Sequence, residues 1–178
     1  MTIDRPSRAT ADSAIVAAEA GSPLVHGSCT LSRDLAVPPG RVFAAFSDLA
    51  LRQRWFRIPS EPGTAHHELD FRVSGCEIAR GTFAPSGVPE QIEYRSEFLD
   101  IVPDERIVFT YTIMLDGHRR SVSLVTVELA AEGSGTRVTR TEQYVFLVLT
   151  GDGQVDVAHL EGSMRLQFNG LESAVVRS

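Results

Sequence analysis

QIEYRSEFLDIVPDERIVFTYTIML, residues 91–115, decides the fold. Two runs alternate between apolar and polar residues and flank Pro103-Asp104-Glu105, so they predict an antiparallel hairpin. Ile92, Tyr94 and Phe98 share one face of the first run; Ile107, Phe109, Tyr111 and Ile113 share one face of the second. Those faces meet a common core.

Reading outward, the same pattern continues. Asp116-Gly117 turns the chain into SVSLVTVELA (121–130), and Gly133-Ser134-Gly135 turns it into TRVTRTEQYVFLVL (136–149). Upstream, HELDFRVSG and CEIARGTF (67–83) read as short strands around a Ser74-Gly75 hairpin turn. Further back, CTLSRDLAV (29–37) places Cys29, Leu31, Arg33, Leu35 and Val37 on one face of a strand. Pro38-Pro39-Gly40 breaks that strand, and RVFAAFSDLALRQRWF (41–56) predicts two short helices joined by a Ser47-Asp48 cap. After Asp152-Gly153, the residues Val157, Leu160, Met164, Phe168, Leu171 and Val175 recur every three or four positions, one apolar stripe of a long helix. Gly162 and Gly170 interrupt it, and each costs about 1 kcal/mol relative to alanine, which predicts close packing at both. The expected architecture is α+β: a curved antiparallel sheet of about seven strands around a long C-terminal helix, with a cavity between them.

Composition bounds the function. A chain of 178 residues, 43% hydrophobic, fits one domain, taken as residues 24–178 behind a flexible N-terminal extension over 1–23. Net charge −6, from 23 acidic against 17 basic side chains, disfavours nucleic acid. No stretch approaches the ~20 apolar residues of a membrane span. In AIVAAEAG (14–21) Glu19 interrupts the apolar run, and Asp4 and Asp12 dilute the basic flank that a secretory signal wants, so a cytoplasmic location is expected. Cys29 and Cys76 stand alone and read as free thiols. His66 and His67 are strand neighbours that point to opposite faces, so no metal is expected there, and no cofactor is implied. Asp152, His159 and Ser163 lack the GxSxG elbow of a hydrolase. Neither Gly151-Asp152-Gly153 nor Gly133-Ser134-Gly135 has the context of a phosphate loop.

Three stretches carry a resemblance: PPGRVFAAFSDLALRQRWF (38–56), LDIVPDERIVFTYT (99–112) and SLVTVELAAEGSGTRVTRTEQ (123–143). In this order they resemble the START-related helix-grip superfamily, also called SRPBCC or birch-pollen-allergen-like. The closer likeness is to the branch named for the activator of the heat-shock protein 90 ATPase. The resemblance spans roughly residues 28–175 and implies seven strands gripping the terminal helix over a ligand cavity. It does not imply one chemistry, because members include lipid carriers, hormone-binding proteins, polyketide cyclases and chaperone activators. The chain departs from the branch at Arg140, usually apolar, and in the apolar EQYVFLVLTGDG (142–153).

Alternation from Val138 turns Arg140, Glu142 and Tyr144 inward, and pairing of the first and last strands adds Arg33 to that surface. A buried charge needs a partner, so Arg33, Arg140 and Glu142 are expected to compensate one another on the cavity wall, as a ligand-orienting group or a structural ion pair. Tyr94, Phe98, Phe109, Tyr111, Met164 and Phe168 are expected to line the apolar part, with Ser96 and Ser123 as further inward positions. Trp55 and Phe56 are candidates for the entrance or for core packing. The leading expectation is a binder of a small hydrophobic or amphipathic molecule. A cyclase or isomerase using Glu142 or Tyr111, and a chaperone-activating interaction domain, are the alternatives. A homodimer through a sheet edge is open.

Overall fold

A computed structural model describes residues 23–84 and 87–176, so residues 1–22 of the expected extension lie outside the described residues. The elements are β1 (Val25–Leu35), α1 (Pro39–Ser47), α2 (Leu49–Trp55), β2 (His66–Leu69), β3 (Cys76–Phe83), β4 (Glu90–Val102), β5 (Arg106–Leu115), β6 (His118–Glu132), β7 (Gly135–Phe146) and α3 (Gln154–Val176). Seven antiparallel strands form one sheet in the order β1-β7-β6-β5-β4-β3-β2. Consecutive hairpins build β2 to β7, and β1 closes against β7 with Cys29 opposite Glu142 and Leu31 opposite Arg140. The sheet curves round α3, the α+β helix-grip architecture that the sequence predicts. Among the described residues, no helix is long and apolar enough to cross a membrane.

Local chemistry sets the joints. Asp116 and Gly117 both take positive φ, 48° and 78°, as a two-residue turn twisted to match its strands requires. Asp48 caps α2 by accepting from the Leu51 N–H at 2.9 Å. The inner faces meet in a core that includes Leu35, Val42, Ile107, Val125, Val127 and Val138, each no more than 3% exposed.

Two expectations are corrected. HELDFRVSG is not a strand ending in a tight turn: β2 stops at Leu69, and residues 70–75 fold back as a loop. There Ser74 takes φ 63°, its N–H donates to the Phe98 carbonyl, and Phe71 turns into the core against Phe43 and Phe98. Of the two helix glycines, only Gly170 is closely packed. A Cβ there would lie 3.2 Å from Trp55 backbone and side-chain atoms, whereas one at Gly162 would meet nothing within 4 Å. Gly170→Val is therefore expected to push α3 off α2 at a cost of about 1–3 kcal/mol, and Gly162→Ala to stabilise by up to about 1 kcal/mol. Urea unfolding of the two variants checks the opposite signs.

Candidate functional site: a cavity between sheet and terminal helix

Between β4–β7, the end of α2 and the N-terminal half of α3 lies a cavity of about 300 Å3. That is at the lower end of the range for small-molecule pockets, ~300–1,000 Å3. Tyr94, Phe109 and Tyr111 face it from the sheet, Phe46 and Phe56 from the helix pair, and Leu160 and Met164 from α3. Its exposed lining residues, Arg57, Pro59 and His159, mark the mouth.

The strands deliver a polar cluster to one wall. Glu142, fully buried, accepts from the Tyr111 hydroxyl on Oε1 and from Arg140 Nη2, 2.6 Å away, on Oε2. Arg140 Nη1 donates to Gln167 Oε1 on α3 at 2.5 Å. Burial, with the Glu142 carboxylate beside it, pushes the Tyr111 phenol well above its ordinary value. Burial opposes the charge of Arg140, but Glu142 and Tyr111 outweigh it and hold the guanidinium in its charged form.

A second buried pair stands at the α2 wall. Arg52 Nε and Nη2 fork onto the two oxygens of Glu77 at 2.7 and 2.8 Å, and His67 Nε2 lies 2.8 Å from Glu77 Oε1. The Arg52 guanidinium lies over both the Trp55 and Phe56 rings, 4.3 and 4.2 Å from their centroids. Burial disfavours the Glu77 charge, yet Arg52 and His67 more than offset this and lower its pKa. Phe56 packs on Tyr94, and Tyr94 on Tyr111, so an aromatic wall joins the two pairs. Burial, reinforced by the Glu77 charge, raises the Tyr94 phenol. At the mouth, Arg120 Nη2 donates to Asp156 Oδ1 at 2.7 Å. Burial disfavours the Asp156 charge, but the Thr150 N–H and Arg120 outweigh it and lower its pKa.

Of the residues singled out in the sequence, Phe56, Tyr94, Phe109, Tyr111, Arg140 and Met164 line the cavity, and Glu142 stands directly behind. The others lie elsewhere. Arg33 does not join Arg140 and Glu142: its longer reach takes it to Asn169 and Glu172 on α3, over the Phe168 ring, where it is 28% exposed. Trp55 donates through Nε1 to the Ala45 carbonyl at 2.8 Å and packs on Phe46, because Gly170 lets α3 close over it. Phe98 packs between Phe71 and Phe109. Phe168 is core, and Tyr144 is half-buried beside Gly27 and Phe146. Ser96 and Ser123 are buried, as alternation predicts. Asp152 caps the Gln154 N–H, while His159 and Ser163 line the cavity, so these three form no triad. Among the described residues, no group of three or more histidines, cysteines and acids could hold a metal.

Sequence reasoning misses Arg52, Glu77 and Arg120. Arg52 carries a signal, since it falls three residues before Trp55 and four before Phe56, on their helical face. Arg120 has none: a bulge between β5 and β6 at this point turns it into the mouth against simple alternation.

Comparison with known proteins agrees with this architecture. Solved structures similar to the chain include Mll3558 from Rhizobium loti, 37% identical over 85% of this chain and 99% of that one, TM-score 0.72. An uncharacterised protein from Rhizobium leguminosarum is 32% identical over 88% and 98%, TM-score 0.75. CV1439 from Chromobacterium violaceum, 24% identical over 83% and 96% with TM-score 0.58, shares the fold. No curated protein matches the chain. The family described as activator of Hsp90 ATPase homolog 1-like protein matches residues 36–174, which is nearly the whole described fold, and the chain belongs to that family.

Proposed function

We propose that the protein binds a small hydrophobic or amphipathic molecule in the cavity between sheet and α3. The observation that carries this reading is a space of about 300 Å3 with aromatic and aliphatic walls, opening at Arg57, Pro59 and His159. Transfer of apolar surface to those walls gains about 25 cal/mol per Å2, and the guanidinium groups give a polar end its orientation.

The Tyr111–Glu142 contact is the observation that bears on a proton-moving enzyme, and it favours binding instead. Tyr111 stays a neutral phenol committed to Glu142, and both Glu142 oxygens are occupied behind the cavity wall. A chaperone-contact role would use the outer sheet face, where Arg80, Glu93 and Arg95 pair with one another.

Calorimetric titration with a panel of medium-chain alcohols, fatty acids and aromatic alcohols tests the reading. At least one member is expected to bind one-to-one with a negative heat-capacity change. Absence of saturable heat across the panel would overturn it.

A further inference from the structure

The arginines of the cavity differ in what they have left to offer a ligand. Four line it, Arg52, Arg57, Arg120 and Arg140, against one carboxylate, Asp156. Arg140 is committed to the wall: Nη1 and Nη2 serve Gln167 and Glu142, and Nε is sealed from solvent without a partner. Arg120 serves Asp156 and Thr150 through Nη2 alone, at the mouth, where it is 19% exposed.

Arg52 is different. Glu77 takes Nε and Nη2, and Nη1 makes no hydrogen bond among the described residues. Yet Nη1 is not among the polar atoms that protein seals off, which are Ser96 Oγ and Arg140 Nε. Because Arg52 is only 4% exposed and lines the cavity, the open space that Nη1 meets is the cavity itself. Its plane is fixed by the Glu77 fork and the two aromatic rings, so the free N–H groups are held in a set direction.

Charge points the same way. Glu77, Asp156 and Glu142 neutralise three of the four arginines. Arg57, two residues beyond α2, donates Nε to the Gln53 carbonyl and has no carboxylate partner among the described residues. One positive charge therefore remains on the lining, on the segment that also carries Arg52.

We infer that the ligand is a hydrophobic monoanion, a small organic acid whose carboxylate accepts from Arg52 Nη1 under the field of Arg57 while its apolar body lies against the Tyr94–Tyr111 wall. This assignment rests on the ligand-binding reading above and narrows it from hydrophobic molecules in general to acids. Guanidinium suits the task because its N–H groups match carboxylate oxygens and its charge persists at any physiological pH.

Three isosteric or near-isosteric probes separate the claims: decanoate, decanamide and decylammonium, titrated calorimetrically at pH 7.5 and low salt. Wild type is expected to prefer decanoate over decanamide by about 10-fold or more, and to bind decylammonium weakest. Glu77→Gln keeps an acceptor for Arg52 but removes the neutralising charge, so decanoate binding should tighten several-fold with decanamide unchanged. Arg52→Met combined with Glu77→Gln removes the guanidinium without leaving a bare buried carboxylate. It should still bind decanamide, which also shows an intact cavity, and lose the preference for decanoate. Equal binding of decanoate and decanamide by wild type, a Glu77→Gln variant with unchanged decanoate affinity, or a preference that survives in the double variant overturns the anchor alone. Failure of all three probes to bind wild type overturns the ligand-binding reading, and the anchor with it.

Discussion

Glu142→Ala is expected to destabilise the protein by about 3–5 kcal/mol in urea unfolding, because it strands Arg140 in the wall with its charge uncompensated. Two groups depend on this carboxylate. Arg140 Nη2 and the Tyr111 hydroxyl lose their acceptor, and the guanidinium, only 12% exposed, keeps Gln167 as its remaining partner. Glu142→Gln, which still accepts hydrogen bonds, should cost less. Replacing both members, Arg140→Met with Glu142→Met, should recover most of the loss, since a buried ion pair is often no better than apolar residues of similar volume. The comparison also reports on the cavity. A cost below about 1 kcal/mol for Glu142→Ala would mean that water in the cavity solvates Arg140.

Glu77→Ala is expected to cost as much, about 3–5 kcal/mol, for the same reason in a tighter setting. Arg52 would lose both members of its fork while still lying over the Trp55 and Phe56 rings, and His67 would lose its partner. Cation–π attraction of about 2 kcal/mol per desolvated contact offsets part of this, but it does not satisfy the guanidinium hydrogens. The pair also sets a pH dependence. Glu77 has an ordinary value of 4.5 and a lower one in the fold, so the folded state binds its proton less readily than the unfolded chain does. Its contribution is complete above about pH 4.5 and is lost as pH falls through the depressed folded value. Urea unfolding across pH 3–7 should show wild-type stability falling on the acid side, and Glu77→Gln should flatten that limb. An unchanged acid limb in Glu77→Gln would remove Glu77 from the account of acid lability.

The two buried pairs show how much of the site is legible in sequence. Glu142 and Arg140 could be found because β7 runs without a bulge from Val138 to Phe146, so strict alternation carries from a core valine to both charges. Arg52 and Glu77 were equally available in principle. Arg52 shares a helical face with Trp55 and Phe56, and Glu77 alternates with Ala79 and Gly81, but small neighbours make a strand's inner face hard to recognise. Trp55 was misleading for a contact reason: its place depends on Gly170, 115 residues away, which admits α3 close enough to seal the indole from the cavity. Arg33 likewise lies on the correct face of β1 but is long enough to leave it for α3. Period and turn chemistry therefore specify which face a residue occupies. Which inward residue borders open space depends on helix–sheet spacing, and that is set by distant pairs.

Ser163 offers the most direct test of the central claim, since it faces the cavity from α3 while the core stripe of Met164, Phe168 and Leu171 lies beside it. Ser163→Trp places an indole in the space proposed for the ligand. Native mass spectrometry of wild type and Ser163→Trp, each incubated with the same mixture of medium-chain acids, alcohols and aromatic alcohols, compares the two directly. The account predicts a one-to-one adduct on wild type and bare protein for Ser163→Trp. Bare protein in both samples, or the same adduct in both, would contradict it.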